Sequence, residues 1–446
     1  ARMLRETFKD AKEFGSILSI PKLLADALDE LGENPFGGET ALGVDAENLQ
    51  RLAAQAKIMA RKYDVVVTNP PYMGSSGMGA KLAEFVKKQY PDSKSDLFAV
   101  FMERGLDWVK ESGYTSMITM ESWMFLSSFE NLRKKVLNQT DITTMVHMPY
   151  LGKGGTSLGI NFGTAATVLC KQHIRGYIGT FDRISYYETD DDGVPFTFPV
   201  ENEYYKKAKV DNFEKIPGAP VAYWVSESFT NAYKSKVIAE YGFAKSGLQT
   251  GDNNRFLKFW QEVCFSQIAF GMKNKSEYLN SRKKWVPQIK GGEYRKWYGN
   301  FDYIVNWEND GMEIRKCDGC RLNAMGNDEL FFRAGITWSH TTSSVYGARY
   351  LPEGSLFNVE APMLFVNRER EYYILAFLNS CVAQLYLNAI NSTIHYLVGN
   401  ISALPIVYSD NFYLEIDNLV HVNIKQSKTD WDSYETSWDF KRHPLI

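Results

Sequence analysis

The chain has 446 residues, a net charge of −3, and 44% apolar and 23% charged residues. That length is too great for one ordinary core, so two domains or slightly more are expected, with the composition of a soluble globular protein. The charge excludes a strongly basic nucleic-acid binder at the level of the whole chain, and no run of about 18 apolar residues reads as a membrane span.

The opening residues Ala1 to Glu6 lack the apolar core of a signal peptide and have no Met at position 1. The opening and the ending, His443-Pro444-Leu445-Ile446, both read as cuts within a longer chain. Five scattered cysteines (Cys170, Cys264, Cys317, Cys320, Cys381) point to reduced thiols and a cytoplasmic protein. Cys317-Asp318-Gly319-Cys320 has zinc-ligand spacing, or is a turn with plain thiols. A structural zinc site needs four ligands, and His340 is the only other nearby candidate, so no metal is expected.

In chain order, residues 1–60 read as polar helices around a loop at 33–43. Residues 63–68, Tyr-Asp-Val-Val-Val-Thr, read as a short buried parallel strand. Apolar spacing predicts a helix over 96–110, with Gly113 as its C-cap glycine. A strand at 115–120, a helix at 129–138 and strands at 142–147 and 165–171 follow. This alternation predicts an α/β sheet with parallel strands over 1–172. After residue 172, short aromatic-rich strands and an acidic loop at 190–193 suggest an α+β domain over 173–408. Within it, residues 370–391 read as one amphipathic packing helix. Residues 409–446 read as the start of a following segment.

Directly after the first strand stands Asn69-Pro70-Pro71-Tyr72. Ligands in open α/β sheets bind beyond the carboxyl ends of strands. An exocyclic amine of a base is a poor nucleophile because its lone pair is delocalised. Two acceptors aimed at its two hydrogens would push it toward a tetrahedral geometry. The Asn69 side-chain oxygen is one such acceptor and the Pro70 carbonyl a second. The Pro70-Pro71 pair fixes φ and removes competing N–H donors. Tyr72 offers a flat ring for a base flipped from the stack.

The tetrapeptide resembles the catalytic motif of amino-methyltransferases acting on adenine N6, cytosine N4 or protein glutamine. Further segments resemble the γ-type DNA adenine-N6 methyltransferases. Residues 8–14, Phe-Lys-Asp-Ala-Lys-Glu-Phe, resemble the segment whose Asp contacts the cofactor adenine, which makes Asp10 a candidate. Residues 96–101 resemble the helix start after the catalytic loop. Phe162 sits near the place of a second aromatic against the flipped base, or is a core Phe. In the second domain, residues 250–256, 290–292, 295–300 and 335–339 resemble the target-recognition domain of large single-chain adenine methyltransferases. Those enzymes serve BREX phage-defence and type IIG restriction-modification systems. The resemblance implies the later half of a Rossmann-like class I sheet, S-adenosyl-L-methionine as cofactor, and double-stranded DNA and other phage-defence proteins as partners. It also implies in-line methyl transfer without a metal.

The glycine-rich cofactor loop of that family has no match before Asn69, so the chain reads as a fragment that would bind the cofactor weakly or not at all. From residue 271 to 300, Lys273, Lys275, Arg282, Lys283, Lys284, Lys290, Arg295 and Lys296 face only Glu277 and Glu293, a net +6. With interleaved aromatics this is a candidate phosphate and base-stacking surface, or a solvated basic face over core aromatics. Asn253, Asn254 and Arg255 suit adenine and guanine edges. Three other readings stand beside the methyltransferase. One is a type IIG enzyme with a nuclease elsewhere, another a protein-glutamine or RNA methyltransferase, and the last a DNA- or partner-binding module with a vestigial catalytic half.

Overall fold

The computed structural model describes residues 1–32, 44–149, 162–191, 194–322, 327–342, 345–391, 394–443 and 445–446. The loop read at 33–43, and Asp192 and Gly193 of the acidic loop, lie outside them. The chain divides into two compact units, Ala1–Glu227 and Ser228–Ile446.

In the first unit, α1 (Arg2–Thr7), α2 (Ala11–Phe14), α3 (Lys22–Glu30) and α4 (Val44–Ala60) precede β1 (Tyr63–Thr68). Then come α5 (Ala80–Gln89), α6 (Leu97–Trp108), β2 (Val109–Met120), α7 (Glu130–Gln139), β3 (Asp141–Met148), β4 (Thr164–Cys170), β5 (Ile178–Arg183) and β6 (Lys206–Lys209). The six strands form one sheet in the order β1-β2-β4-β3-β5-β6. Phe98, Trp123, Leu132, Val136, Ile142, Met145, Ala165 and Phe181 make its buried core.

The sheet is mixed, not parallel throughout. β1–β2 and β3–β5 are parallel, while β4 runs antiparallel between β2 and β3 and β6 antiparallel to β5. A buried apolar run reads the same in either direction, so strand sense was invisible in the sequence. β1 is also an edge strand rather than a buried one, with Val65 57% and Val67 71% exposed. Gly113 does not cap α6. That helix ends at Trp108, and Gly113 lies inside β2, where an added Cβ would stand 2.7 Å from the Asp64 carbonyl of β1.

The unit boundary falls at 227/228 rather than at 172, because β5 and β6 extend the first sheet. α8 (Glu227–Ala232) spans it. The second unit contains β7 (Gly242–Lys245), β8 (Leu248–Gln249), α9 (Asn253–Phe256), β9 (Leu257–Phe259), α10 (Lys275–Ser281), β10 (Trp285–Ile289) and β11 (Tyr303–Asn306). It continues with α11 (Glu308–Arg315), β12 (Arg321–Leu322), β13 (Gly335–Trp338), β14 (Ala348–Leu351), β15 (Leu356–Phe357) and β16 (Met363–Val366). α12 (Arg368–Leu378), α13 (Cys381–Ile390), α14 (Val398–Ser402) and α15 (Tyr413–Trp431) close it.

Two four-stranded sheets, β15-β10-β11-β9 and β14-β13-β16-β7, enclose a core that includes Val286, Trp307, Phe332, Leu356 and Phe357. α15 packs on α12, so residues beyond 408 belong to this same unit. The single helix expected over 370–391 is two helices bent by 74°. Ser380 caps the second by accepting from Ala383 N at 3.2 Å, and the Asn379 side chain bonds both backbone groups of Ala348 at 2.9 and 3.0 Å. Among the described residues, no single helix is long and apolar enough to cross a membrane.

Candidate active site

The sheet's directions gather one rim. β1 and β2 run together, so Asn69 and Glu121 leave at the same end. β4 runs oppositely, pairing Thr164 with both Met120 and Met148, so Phe162 and Gly163 enter beside the end of β3. Asn69, Tyr72, Glu121, His147 and Phe162 therefore meet at the carboxyl ends of β1, β2 and β3, where open α/β sheets place their ligands.

In the loop, Asn69 and Pro71 are exposed, Pro70 is buried and Tyr72 half-buried. The Tyr72 hydroxyl donates toward the Ile118 carbonyl at 3.0 Å and lies 3.2 Å from Asn69 Oδ1. Its single proton is shared between the two acceptors, and burial pushes the phenol pKa up, which keeps it a donor. The Tyr72 ring meets Phe162 edge-on at 5.4 Å and 90°, and Phe98 at 6.2 Å and 77°. The structure therefore brings together the two aromatics singled out in the sequence.

The sequence reading did not give Asp96 its part. Asp96 Oδ1 accepts from Met73 N at 2.9 Å and from Phe98 N at 3.3 Å, and Leu97 N donates to Met73 O at 3.0 Å. One carboxylate therefore caps α6 and clamps the residue after Tyr72. An Asp before an apolar helical run is an N-cap signal that could have found it. Nor were Glu121, His147 and Tyr223 singled out. His147 lies 2.7 Å from Glu121 Oε2 through Nε2 and 2.9 Å from the Tyr223 hydroxyl through Nδ1. No local pattern announces them, since they come from three separate segments.

Asp10, at the start of α2, is half-buried and ion-paired with Lys81 of α5 at 2.9 Å. Among the described residues before β1 the regular elements are helices, and no strand-to-helix glycine turn occurs there.

In the second unit, Asn253, Asn254 and Arg255 lie exposed on α9. Thr250 donates to Asn253 Oδ1 at 2.7 Å, and Arg255 pairs with Glu313 at 3.0 Å. The basic window is largely spent within the fold. Lys283 donates to the Ile268 carbonyl at 2.9 Å and Lys296 to that of Asn379 at 2.7 Å. Lys284 lies 3.4 Å from Glu308, and Arg295 2.9 Å from Asp430. Lys290 covers the Tyr303 ring, while Lys273 is exposed. Of the interleaved aromatics, Tyr278 and Tyr298 are buried, at 2% and 7% exposure, so they serve the core and not stacking. Cys317 and Cys320 are half-buried thiols packed on the same core.

Residues 9–152 match the family described as Eco57I restriction-modification methylase. Nearly the whole chain is similar to proteins named adenine-specific methyltransferases. It is 36% identical to the adenine-specific methyltransferase BrxX of Escherichia coli O9:H4 (strain HS), over 98% of this chain and 36% of that protein. It is likewise 36% identical to the adenine-specific methyltransferase PglX of Lacticaseibacillus casei (strain Zhang), over 98% of this chain and 38% of that protein. The chain thus spans little more than a third of these curated relatives. The type IIL restriction-modification enzyme MmeI, solved in complex with DNA, shares the fold. The TM-score is 0.52 at 12% identity, covering 84% of this chain and 50% of that one.

Proposed function

We propose that the full protein transfers a methyl group from S-adenosylmethionine to the N6 amine of a site-specific adenine in double-stranded DNA, within a phage-defence or restriction-modification system. The observation that carries this reading is the rim at the end of β1. There a proline-stiffened loop sets the Asn69 amide oxygen beside the half-buried Tyr72 ring, with Phe162 edge-on to it. The names of the two curated relatives support adenine as the target.

In this reading Asn69 Oδ1 exchanges its contact with the Tyr72 hydroxyl for one amine hydrogen, and the Pro70 carbonyl takes the other. Fixed dipoles then stabilise positive charge as it develops on the nitrogen. Tyr72 and Phe162 hold the flipped base. The first unit is the later half of a class I methyltransferase sheet. The open edge of β1 and its exposed Val65 and Val67 support a sheet that continues with further strands. The cofactor is held mainly by the parts of the protein that bring those strands, with Asp10 as a candidate contact to its adenine. The second unit reads the target, through α9 (Asn253, Asn254, Arg255) for base edges and Lys273 for phosphate.

The test uses full-length protein, labelled cofactor and duplex DNA. Asn69→Ala is expected to lose at least about a hundredfold in methyl transfer, as when an oriented dipole is removed from a reacting centre, while duplex binding persists. Methyl transfer at the wild-type rate by Asn69→Ala would overturn the mechanism.

A further inference from the structure

We infer that Glu121, His147 and Tyr223 are positioning residues that hold the Phe162–Gly163 turn in place against the target base. The inference rests on the methyltransferase reading for its consequence, and on geometry for its existence.

Glu121 is the first residue after β2. Its backbone N–H donates to the Gly163 carbonyl at 2.8 Å, and its carboxylate fills the space that a Cβ on Gly163 would take. Gly163 is therefore the residue against which this carboxylate closes, one position from the ring that meets Tyr72. Behind Glu121 stands His147, 3% exposed, and behind that Tyr223, 2% exposed. A carboxylate only accepts, and burial raises the Tyr223 phenol so that it stays protonated. The network is satisfied when Tyr223 donates to Nδ1 and the Nε2–H of His147 donates to Glu121.

Tyr223 is itself fixed from two sides. It stacks on Phe181 at 4.7 Å and 9°. The segment leading to it is stapled by the buried Arg133, whose Nε donates to the Gly218 and Ala219 carbonyls at 3.0 Å each. Its Nη1 donates to the Trp123 carbonyl at 2.7 Å. Burying the polar side chains of His147 and Tyr223 costs stability unless every group is paired, and an apolar rim would be cheaper. The chain of bonds runs from the core to the one turn that carries the second aromatic. Glu121, its outer member, is 17% exposed at the side chain.

Two measurements on full-length protein test this. In hydrogen exchange without substrate, His147→Ala should speed exchange at residues 162–164 by about tenfold or more, while Met145 within β3 stays protected. Unchanged exchange at 162–164 overturns the proposal whether or not the protein methylates DNA. In methyl transfer, Glu121→Ala and His147→Ala should each lower kcat about tenfold, with KM for cofactor and DNA nearly unchanged. Glu121→Gln keeps an acceptor for Nε2–H and should restore most of the rate. In a Phe162→Ala background, His147→Ala should add less than about twofold, because coupled residues are not additive. Equal factors in both backgrounds overturn the proposal. A wild-type protein that does not methylate adenine, with exchange changed as described, overturns the functional reading and leaves the positioning intact.

Discussion

Asp96 carries two loads with one carboxylate, the first turn of α6 and the register of the loop after Tyr72. Asp96→Ala is expected to cost about 1 kcal/mol of stability, as lost N-caps do. In the full protein, under the proposed function, it should also slow methyl transfer more than this cost explains, because Met73 is released with the cap. Thermal unfolding beside kcat checks both. Asp96→Asn, which keeps an acceptor, should recover most of each. His147 supplies a pH prediction. Burial holds its pKa below the ordinary histidine value of about 6.5, outweighing the hydrogen bond and charge of Glu121, which raise it, while the charge of Arg183 adds to the lowering. The folded state therefore prefers neutral imidazole. The stabilising contribution is present above the unfolded-state pKa and is lost as pH falls through the lower folded value. Unfolding temperature should drop on acidification below about pH 6.5, and His147→Asn should flatten that limb. An identical pH profile in the variant would contradict it.

At the scale of elements, the basic window changes meaning. Eight cations over 271–300 look alike in sequence, yet Lys283 and Lys296 end on backbone carbonyls inside the fold while Lys273 faces water. Under the proposed function, Lys273→Ala in the full protein should reduce the salt slope of duplex binding by about one. Lys283→Ala should leave the slope nearly unchanged and instead destabilise the second unit by about 1.5 to 3 kcal/mol, the usual worth of a charge-assisted bond. Salt-dependent binding and denaturant unfolding separate the two. The break between α12 and α13 teaches the same lesson. Apolar periodicity over 370–391 was legible, but the break comes from Asn379 pairing with Ala348, which lies 31 residues away. Gly113 was legible as special, though for a reason other than a cap. It is small because β1 passes close to it, not because a helix ends there.

For the whole molecule, the consequential feature is the edge of β1, which among the described residues pairs with β2 alone. An apolar strand edge with Val65 and Val67 exposed is a template for pairing. This chain expressed alone is expected to self-associate with rising concentration. Val65→Lys/Val67→Lys should hold it monomeric, as judged by light scattering after gel filtration. A wild-type chain that stays monomeric at high concentration would refute this use of the edge. The sequence by itself determined which groups the loop carries. Asn69, two prolines and Tyr72 are adjacent, so their spacing fixes an acceptor, a stiff backbone and a ring without help from the rest of the chain. It also determined most element positions in the first unit, because apolar period is a local property. Only the tertiary structure decided strand direction, which groups the ring of Phe162 with Tyr72. Only it joined Glu121, His147 and Tyr223, and only it separated the solvent-facing lysine from those consumed within the fold. These are contacts between residues far apart in the chain, and burial and partners do not exist until the sheet is assembled.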